Sequence, residues 1–209
     1  RNIGGTEYVI VYNGEIYNTD ELMPELIRAG YEFQTTTDTE VILYAYIHDG
    51  IDFVHKLNGI FAFAIWDGGL ERLILYRDRV GVKPLFYTIK DHTMVFGSEI
   101  KALFCFPGIK PEMDMNGYRE IFGIGPARTS GNGVFRGIHE IEPGQYAIFS
   151  KEGFKTVRYW ELESHVHTES FPETVEKVSF LVKDAIQRQM VSDVPVCSFL
   201  SGGIDSSIV

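Results

Sequence analysis

The sequence is short of positive charge and of long apolar runs, and each shortage argues against a class of protein. Nineteen Lys and Arg residues stand against 29 Asp and Glu residues, a formal net charge of −10, and no basic block reverses this balance. Binding to a nucleic-acid backbone is therefore not expected. No apolar run approaches the roughly 18 residues that a membrane helix needs, and no signal-peptide pattern is present, so we expect a soluble, cytoplasmic protein without a membrane partner.

Cysteine is also scarce. The two cysteines, Cys105 and Cys197, both lie inside apolar runs, and we interpret them as small buried hydrophobic residues rather than as a disulfide framework. A reactive thiol needs an exposed, electropositive setting, so neither residue is expected to be a nucleophile.

Apolar and aromatic residues are plentiful enough to build a core. They make up 44% and 13% of 209 residues, so we expect a folded chain with one large domain, or one complete domain and part of another. The chain begins at Arg1, just ahead of an apolar strand, and ends shortly after a glycine-rich loop. We expect both ends to continue into a longer polypeptide.

Short strands dominate the first 160 residues. The run FAFAI is apolar at consecutive positions, which predicts a strand covered on both faces. Helices are predicted at 20–29 and 38–48, and Thr37 and Glu40 have capping-box spacing at the start of the second helix. The pattern predicts two packed, largely antiparallel sheets with these helices against them. The predicted strands are 8–14, which ends in an Asn-Gly pair that favours a turn, 59–67, 72–78, 84–89, 94–98, 144–150 and 154–160.

The composition changes after residue 160. Residues 161–172 show no apolar period and are interpreted as a linker between a domain at 1–160 and the start of a second domain at 173–209. A helix at 174–190 is predicted to pack a stripe that includes Val175, Val178, Val182 and Ile186. Helix, apolar strand (196–200) and glycine loop form the opening of an α/β nucleotide-binding unit.

The loop SGGIDSS (201–207) has the chemistry of a phosphate site. Two glycines after a strand expose consecutive backbone N–H groups, and the serine hydroxyls add donors for an anion. Asp205 is suited to binding Mg²⁺, which prefers oxygen ligands. The alternative is a Ser/Gly turn in which Asp205 caps an ordinary helix.

Six motifs, in order along the chain, resemble one family. SGGIDSS resembles the pyrophosphate loop of the ATP-pyrophosphatase fold. The upstream motifs resemble the glutamine amidotransferase domain of the glutamine-hydrolysing asparagine synthetases. They are VYNGEIYN (11–18), TTTDTEVIL (35–43), LNGIFAFAIWD (57–67), RDRVGVKPLFY (77–87) and FGSEIKAL (96–103).

The resemblance implies an αββα sandwich of the Ntn-hydrolase type, followed by the start of an α/β ATP-pyrophosphatase domain. It implies an enzyme that hydrolyses glutamine and uses ATP and Mg²⁺ to convert aspartate to asparagine, giving glutamate, AMP and diphosphate. The expected partners are therefore the small molecules glutamine, aspartate and ATP, together with a second copy of the chain in a homodimer.

Carried over residue by residue, the resemblance makes Asn13, through its side-chain amide, and Gly14, through its backbone N–H, the oxyanion hole. Glu15 and Asp38 match the acidic residues that hold the α-amino group of glutamine. By themselves, Asn13 and Gly14 favour a plain turn, and Asp38 is compatible with a helix cap. The residues that match the ATP site are Leu200, Ser201, Gly202, Gly203, Asp205, which would also bind the metal, and Ser206.

One part of the family pattern is not found. The family nucleophile is an N-terminal cysteine, and neither it nor the arginine that binds the glutamine carboxylate can be placed in this sequence. The chain alone is therefore expected to be inactive. The cluster from Arg77 to Lys83 is interpreted as a solvated or internally ion-paired hairpin. Two alternatives remain: a related enzyme that amidates another carboxylate, and an amidotransferase-like binding module without catalysis.

Overall fold

The structure is a computed structural model in which the chain divides into two compact units, Arg1–Glu161 and Leu162–Val209. It describes residues 1–190, 195, 197 and 199–208, with the side chains of Asp205 and Ile208 excepted. In this part of the chain, no helix is long and apolar enough to cross a membrane.

The larger sheet of the first unit has six antiparallel strands. The strands are β1 (Asn2–Ile3), β2 (Thr6–Ile16), β3 (Gly59–Asp67), β4 (Arg72–Arg77), β8 (Gln145–Ser150) and β9 (Gly153–Arg158). Their order in the sheet is β1-β2-β3-β4-β8-β9, so the three strands that lie between β4 and β8 in sequence are outside this sheet. The β2–β3 pairing runs without interruption from Tyr8 opposite Asp67 to Ile16 opposite Gly59.

The inserted strands form a second antiparallel sheet. They are β5 (Phe86–Lys90), β6 (Thr93–Gly97) and β7 (His139–Glu140), in the order β6-β5-β7. The β5–β6 pair is a tight hairpin, with Lys90 opposite Thr93.

Helices cover the larger sheet. Leu22 and Leu26, four residues apart, face the core from the first helix, and every residue from Glu40 to Tyr46 is buried in the second. Gly50, at φ +73°, ends the second helix, and a 3-10 helix at Gly50–Lys56 follows. The α-helices are α1 (Thr19–Arg28), α2 (Asp38–Asp49), α3 (Ile100–Leu103), α4 (Met115–Arg119), which continues as a π-helical turn at Glu120–Ile124, α5 (Phe171–Gln189) and α6 (Ile204–Ile208).

The core has two main layers, with β3 between them. Phe61, Phe63 and Ile65 pack against the helices, whereas Ala62 and Ala64 pack toward the second sheet. The alternation of a strand sends successive side chains to opposite faces, and here both faces are buried. The αββα sandwich of two antiparallel sheets is thus confirmed, as is the prediction of a strand covered on both sides.

Of the two predicted possibilities for the cluster at 77–83, solvation or ion pairing, Arg77 shows the second, with a partner outside the cluster. The buried guanidinium of Arg77 pairs with Glu140 at 3.0 Å and donates to the carbonyl of Ile141 at 2.6 Å. Asp78 is fully buried, and its carboxylate accepts backbone N–H groups of the loop that follows it. The motif therefore fastens β4 to the second sheet.

Outside β2, three predictions from the sequence are wrong. Cys105 and Cys197 are exposed rather than buried; α3 ends at Leu103, so Cys105 follows the helix instead of packing beneath it. The carboxylate of Glu40 bypasses Thr37 and accepts N–H groups of Gln34 and Thr35, so the capping box does not form.

The third of these predictions concerns the C-terminal helix. Helix α5 is present, with the Ser170 N–H bound to the Glu173 carboxylate at its start. Within the described residues its apolar stripe is only partly covered: Val175 and Val178 are each about half exposed, and Ile186 is partly buried. Helical period identifies an apolar face but not what covers it. Positions 196 and 198 of the predicted strand lie outside the described residues.

Candidate active site

Asn13 and Gly14 lie within β2, opposite Ala62 and Phe61 of β3. They do not form the predicted turn, because the strand continues to Ile16. A Cβ on Gly14 would lie 2.3 Å from the carbonyl oxygen of Ile60 and 2.8 Å from Cα of Phe61. The glycine is therefore required for close approach of two backbones, and not for the left-handed conformation of a turn.

Strand alternation divides the predicted site residues between the two faces of β2. Asn13 and Glu15 lie on one face, and Tyr12, Gly14 and Ile16 lie on the other, which packs toward the helices. The exposed amide of Asn13 donates from Nδ2 to Ser98 Oγ at 3.2 Å, just beyond the end of β6. One N–H of the amide is thereby held, and the amide has a second N–H available to a ligand.

A groove of about 390 Å³ opens beside Asn13 and Ser98. Its walls are mostly apolar, and the two polar side chains stand together within it. This combination of an apolar lining and a few placed polar groups is typical of small-molecule sites. The apolar lining includes Val11, Ala62, Ala64, Leu85 and Phe96.

Asp38 approaches β2 from the opposite face. It is the first residue of α2, directly after the N-cap position at Thr37, and it is partly buried. Its Oδ2 accepts the hydroxyl of Tyr12 at 2.6 Å and the backbone N–H of Ile16 at 3.3 Å. The structure therefore ties Asp38 to the strand segment that carries Asn13, Gly14 and Glu15.

Two electrostatic features support this arrangement. Burial, and then the hydrogen bond to Asp38, raise the pKa of Tyr12, so its phenol remains a donor. Burial alone would raise the pKa of Glu40, but hydrogen bonds from Thr35 and Gln34 and the charge of Arg1, 2.6 Å away, lower it overall. The ionised Glu40 thus fixes the backbone just ahead of Asp38.

The C-terminal loop presents hydroxyl groups. Ser201 Oγ and Ser206 Oγ lie 3.0 Å apart, and Ser206 and Ser207 both donate to the carbonyl of Gly203. Gly202 has φ +80°, which turns the chain into α6, and Leu200 is exposed. Hydroxyls and glycine N–H groups are donors suited to an anion, so the loop fits the phosphate chemistry of ATP.

The predicted metal ligand is not tested by the geometry. The side chain of Asp205 lies outside the described residues. Among those that are described, no group of three or more His, Cys, Asp or Glu side chains could hold a metal ion.

Sequence reasoning missed Tyr12 and Ser98. Ser98 lies inside the motif FGSEIKAL, but nothing in its spacing indicated that it meets Asn13, 85 positions away. Tyr12 could have been found, because strand alternation places it on the helix-facing side of β2.

Comparison with known proteins defines the family. The family model described as glutamine amidotransferase domain matches residues 4–160, and the model described as asparagine synthase matches residues 177–209. The chain belongs to the glutamine amidotransferase domain family, and its C-terminal part matches the start of an asparagine synthase domain.

The similar curated proteins are longer than this chain. "Asparagine synthetase [glutamine-hydrolyzing] 3" of Bacillus subtilis is 54% identical over 98% of the chain and 33% of its own length. "Asparagine synthetase [glutamine-hydrolyzing] 2" of the same organism is 37% identical over 96% of the chain and 28% of its length. "Amidase chyE" of Penicillium rubens is 36% identical over 95% of the chain and 30% of its own length. The chain thus spans about a third of the length of the curated relatives it matches.

Solved structures agree on the fold. Glutamine phosphoribosylpyrophosphate amidotransferase from B. subtilis has 24% sequence identity and a TM-score of 0.53, covering 77% of this chain and 30% of that one. An allosteric regulatory enzyme of purine biosynthesis has 24% sequence identity and a TM-score of 0.52, covering 75% of this chain and 29% of that one. At this identity the likeness supports the fold alone.

Proposed function

We propose that the chain is part of a glutamine-hydrolysing asparagine synthetase. The first unit would release ammonia from glutamine, and the protein would transfer it to aspartate with ATP, giving asparagine, glutamate, AMP and diphosphate. The family match over 4–160 and the asparagine synthase match over 177–209 support both halves of this reaction.

The observation that carries the proposal is the position of Asn13 beside the groove, with Gly14 next to it in β2. Asn13 would donate its second amide N–H, and Gly14 its backbone N–H, to the oxyanion that develops when the glutamine side-chain amide is attacked. Ser98 orients the Asn13 amide through the 3.2 Å hydrogen bond. Donors held in place before reaction stabilise the transition state without reorganisation, and the loss of one lowers kcat by roughly 10²–10³.

Glu15 and Asp38 would bind the α-amino group of glutamine. Asp38 is held at the required strand by Tyr12 and Ile16, and Glu15 is two residues beyond Asn13. A pair of carboxylates selects an ammonium over a neutral group, which would favour an amino acid over a simple amide.

The attacking thiol is assigned to neither cysteine of this chain. Cys105 and Cys197 are exposed, and Cys105 Sγ lies 3.8 Å from the carbonyl of Lys101, outside the set of residues that line the groove. In the intact protein we assign the attack to the N-terminal cysteine that the family resemblance implies. The 209-residue chain by itself should not hydrolyse glutamine.

For the second unit we propose ATP binding at 200–206. The residues assigned to the phosphates are Leu200, Ser201, Gly202, Gly203, Asp205 and Ser206, with Asp205 as the Mg²⁺ ligand. The proposed domain limits are 1–160, a linker at 161–172 and the start of the synthetase domain at 173–209. The metal would neutralise phosphate charge when ATP is bound.

The proposed partners are small molecules. Glutamine, aspartate and ATP are cytoplasmic metabolites, so we place the protein in the cytoplasm. We propose no nucleic-acid or membrane partner, and we propose that the protein assembles as a homodimer.

The test uses the full-length protein, because the reaction needs both domains. Glutamate release from glutamine and asparagine formation from aspartate are measured for wild type, Asn13→Ala and Asp38→Ala. We expect Asn13→Ala to lower kcat by roughly 10²–10³ and Asp38→Ala chiefly to raise KM, because the amino-group contact is equally strong in ground and transition states. An Asn13→Ala rate equal to wild type would refute the oxyanion assignment, and a full-length wild type that releases no glutamate would favour the binding module.

A second candidate is amidation of a different carboxylate. Two relatives carry the name amidase, chyE of P. rubens and chry2 of Gibberella zeae, at 36% and 33% identity. Glutaminase activity in the full-length protein without any aspartate-dependent asparagine formation would favour this candidate.

A further inference from the structure

The hydroxyl of Tyr12 makes the shorter of two hydrogen bonds to the Asp38 carboxylate, at 2.6 Å. We propose that Tyr12 is a positioning residue for glutamine, which holds the Asp38 carboxylate in the orientation that binds the α-amino group. The inference rests on the proposed function, because it presumes that Asp38 contacts the substrate amine.

Both bonds to Asp38 end on the same oxygen. Oδ2 accepts from Tyr12 and, at 3.3 Å, from the N–H of Ile16, whereas within the described residues Oδ1 accepts no hydrogen bond. A carboxylate held at one oxygen cannot rotate freely about its Cβ–Cγ bond. Oδ1 is therefore the oxygen presented to an ammonium group.

The hydroxyl of Tyr12 is itself well fixed. Its ring packs edge-on against Phe63, with centroids 6.3 Å apart, and Phe63 is buried in the core between β3 and the helices. Because a strand and a helix supply the two partners, neither end of the bond depends on a loop tip. The phenol stays protonated, as burial and the carboxylate both raise its pKa.

The two partners come from different elements, 26 positions apart in sequence. Without the hydroxyl, only the longer bond from Ile16 would hold the carboxylate, and the start of α2 would no longer be tied to the side chain of Tyr12. Asp38 would then sample several orientations, of which one binds substrate. Such a loss weakens binding of the substrate without altering the attack on its distant amide.

The experiment compares Tyr12→Phe with wild type in the full-length protein. Phenylalanine keeps the ring that packs on Phe63 and removes only the donor. We expect KM for glutamine to rise about tenfold, in keeping with the loss of one hydrogen bond to a charged group, while kcat changes less than twofold.

A second substrate separates positioning from general damage. Glutaramate is glutamine without the α-amino group, so it makes no use of Asp38. The kcat/KM of Tyr12→Phe for glutaramate should equal that of wild type, and only the preference for glutamine over glutaramate should fall. Equal losses for both substrates would overturn the inference, because they would show a structural role.

Two further variants complete the design. Tyr76→Phe is a matched control, since the hydroxyl of that buried tyrosine donates to the carbonyl of Ile51 and not to a site residue; its KM should equal that of wild type. Asp38→Asn tests the underlying assignment. If Asp38→Asn raises KM for glutamine and Tyr12→Phe does not, the inference fails and the proposed function stands. If Asp38→Asn leaves KM unchanged, the assignment of Asp38 fails and the inference with it.

Discussion

Replacing Asp78 should destabilise the first unit more than any comparable change at an exposed acid. The carboxylate is fully buried, and it accepts four backbone N–H groups, two at each oxygen. Val80 and Val82 donate to Oδ1 at 3.2 and 3.0 Å, and Phe61 and Lys83 donate to Oδ2 at 3.3 and 2.9 Å. One side chain therefore binds three backbone N–H groups of the turn and one of β3, and so joins the turn to the strand.

The magnitude follows from those donors. Leaving a buried N–H without a partner costs about 1–3 kcal/mol, and four such losses do not add fully, because the turn relaxes and water enters. We expect Asp78→Ala to lower the free energy of unfolding by about 3–5 kcal/mol, which is a large share of the 5–15 kcal/mol typical of a domain. In Asp78→Asn the amide oxygen keeps two donors and the amide nitrogen opposes the other two, so the loss should be about 2–3 kcal/mol.

Urea unfolding, followed by circular dichroism, measures these differences in the 209-residue chain. Asp114→Asn is the matched control: Asp114 also accepts two backbone N–H groups, at the start of α4, but it is only partly buried, and asparagine serves as well as aspartate at an N-cap. Its unfolding midpoint should stay within error of wild type. A loss below about 1 kcal/mol for Asp78→Ala would refute the reasoning, since it would mean that the unpaired donors of the turn are hydrated at little cost.

Three further predictions concern other residues. Gly14→Ala should destabilise the chain by about 1–3 kcal/mol, because its Cβ would meet backbone atoms that no side-chain rotation can clear. Gly123→Ala, whose Cβ would have nothing within 4 Å, should leave the stability nearly unchanged. Thermal unfolding measures both variants, and equal melting temperatures would contradict the prediction. The pKa of Glu40 is lowered in the folded state, so its contribution to the free energy of unfolding is present above the ordinary value of 4.5 and is lost as the pH falls below it. Stability should therefore fall less steeply with acid in Glu40→Gln than in wild type. An unchanged slope would contradict this. The exposed thiol of Cys105 should react with a thiol reagent in the native protein, and Cys105→Ser should leave glutamine hydrolysis by the full-length protein unchanged; a protected thiol would contradict the exposure.

Where the pattern along the sequence was strong, it predicted the elements closely. The strand at 59–67 was predicted with the limits that β3 has, because consecutive apolar residues between two turn signals leave little choice. Helices α1 and α2 were predicted to within a few residues, owing to the glycines that follow them, Gly30 and Gly50.

Local preference failed where partners distant in sequence decide the outcome. Asn13 and Gly14 favour a turn locally, yet pairing with β3 holds them in a strand. Glu40 has the spacing of a capping residue, but its carboxylate accepts the backbone N–H groups of Gln34 and Thr35 and the side-chain hydroxyl of Thr35 instead. No window of sequence contains both partners of such contacts in their final geometry.

The candidate site was predicted from family resemblance, and the roles of its residues stay predictions. The structure adds how they are held: Asn13 by Ser98, and Asp38 by Tyr12 and Ile16. These contacts cross 22 to 85 positions of sequence, so only the fold could reveal them.

The insertion of the second sheet between β4 and β8 has a consequence for the order of folding. The Arg77 guanidinium meets the Ile141 carbonyl 64 positions away, and the Tyr159 hydroxyl meets the Arg77 carbonyl across 82. Bringing such distant segments together costs chain entropy that the local β3–β4 and β5–β6 hairpins avoid, so the hairpins can form first. The β8–β9 hairpin would then close the larger sheet late, after the transition state. Substitutions in the contacts between the β8–β9 hairpin and the rest of the larger sheet should speed unfolding and leave the rate of folding nearly unchanged.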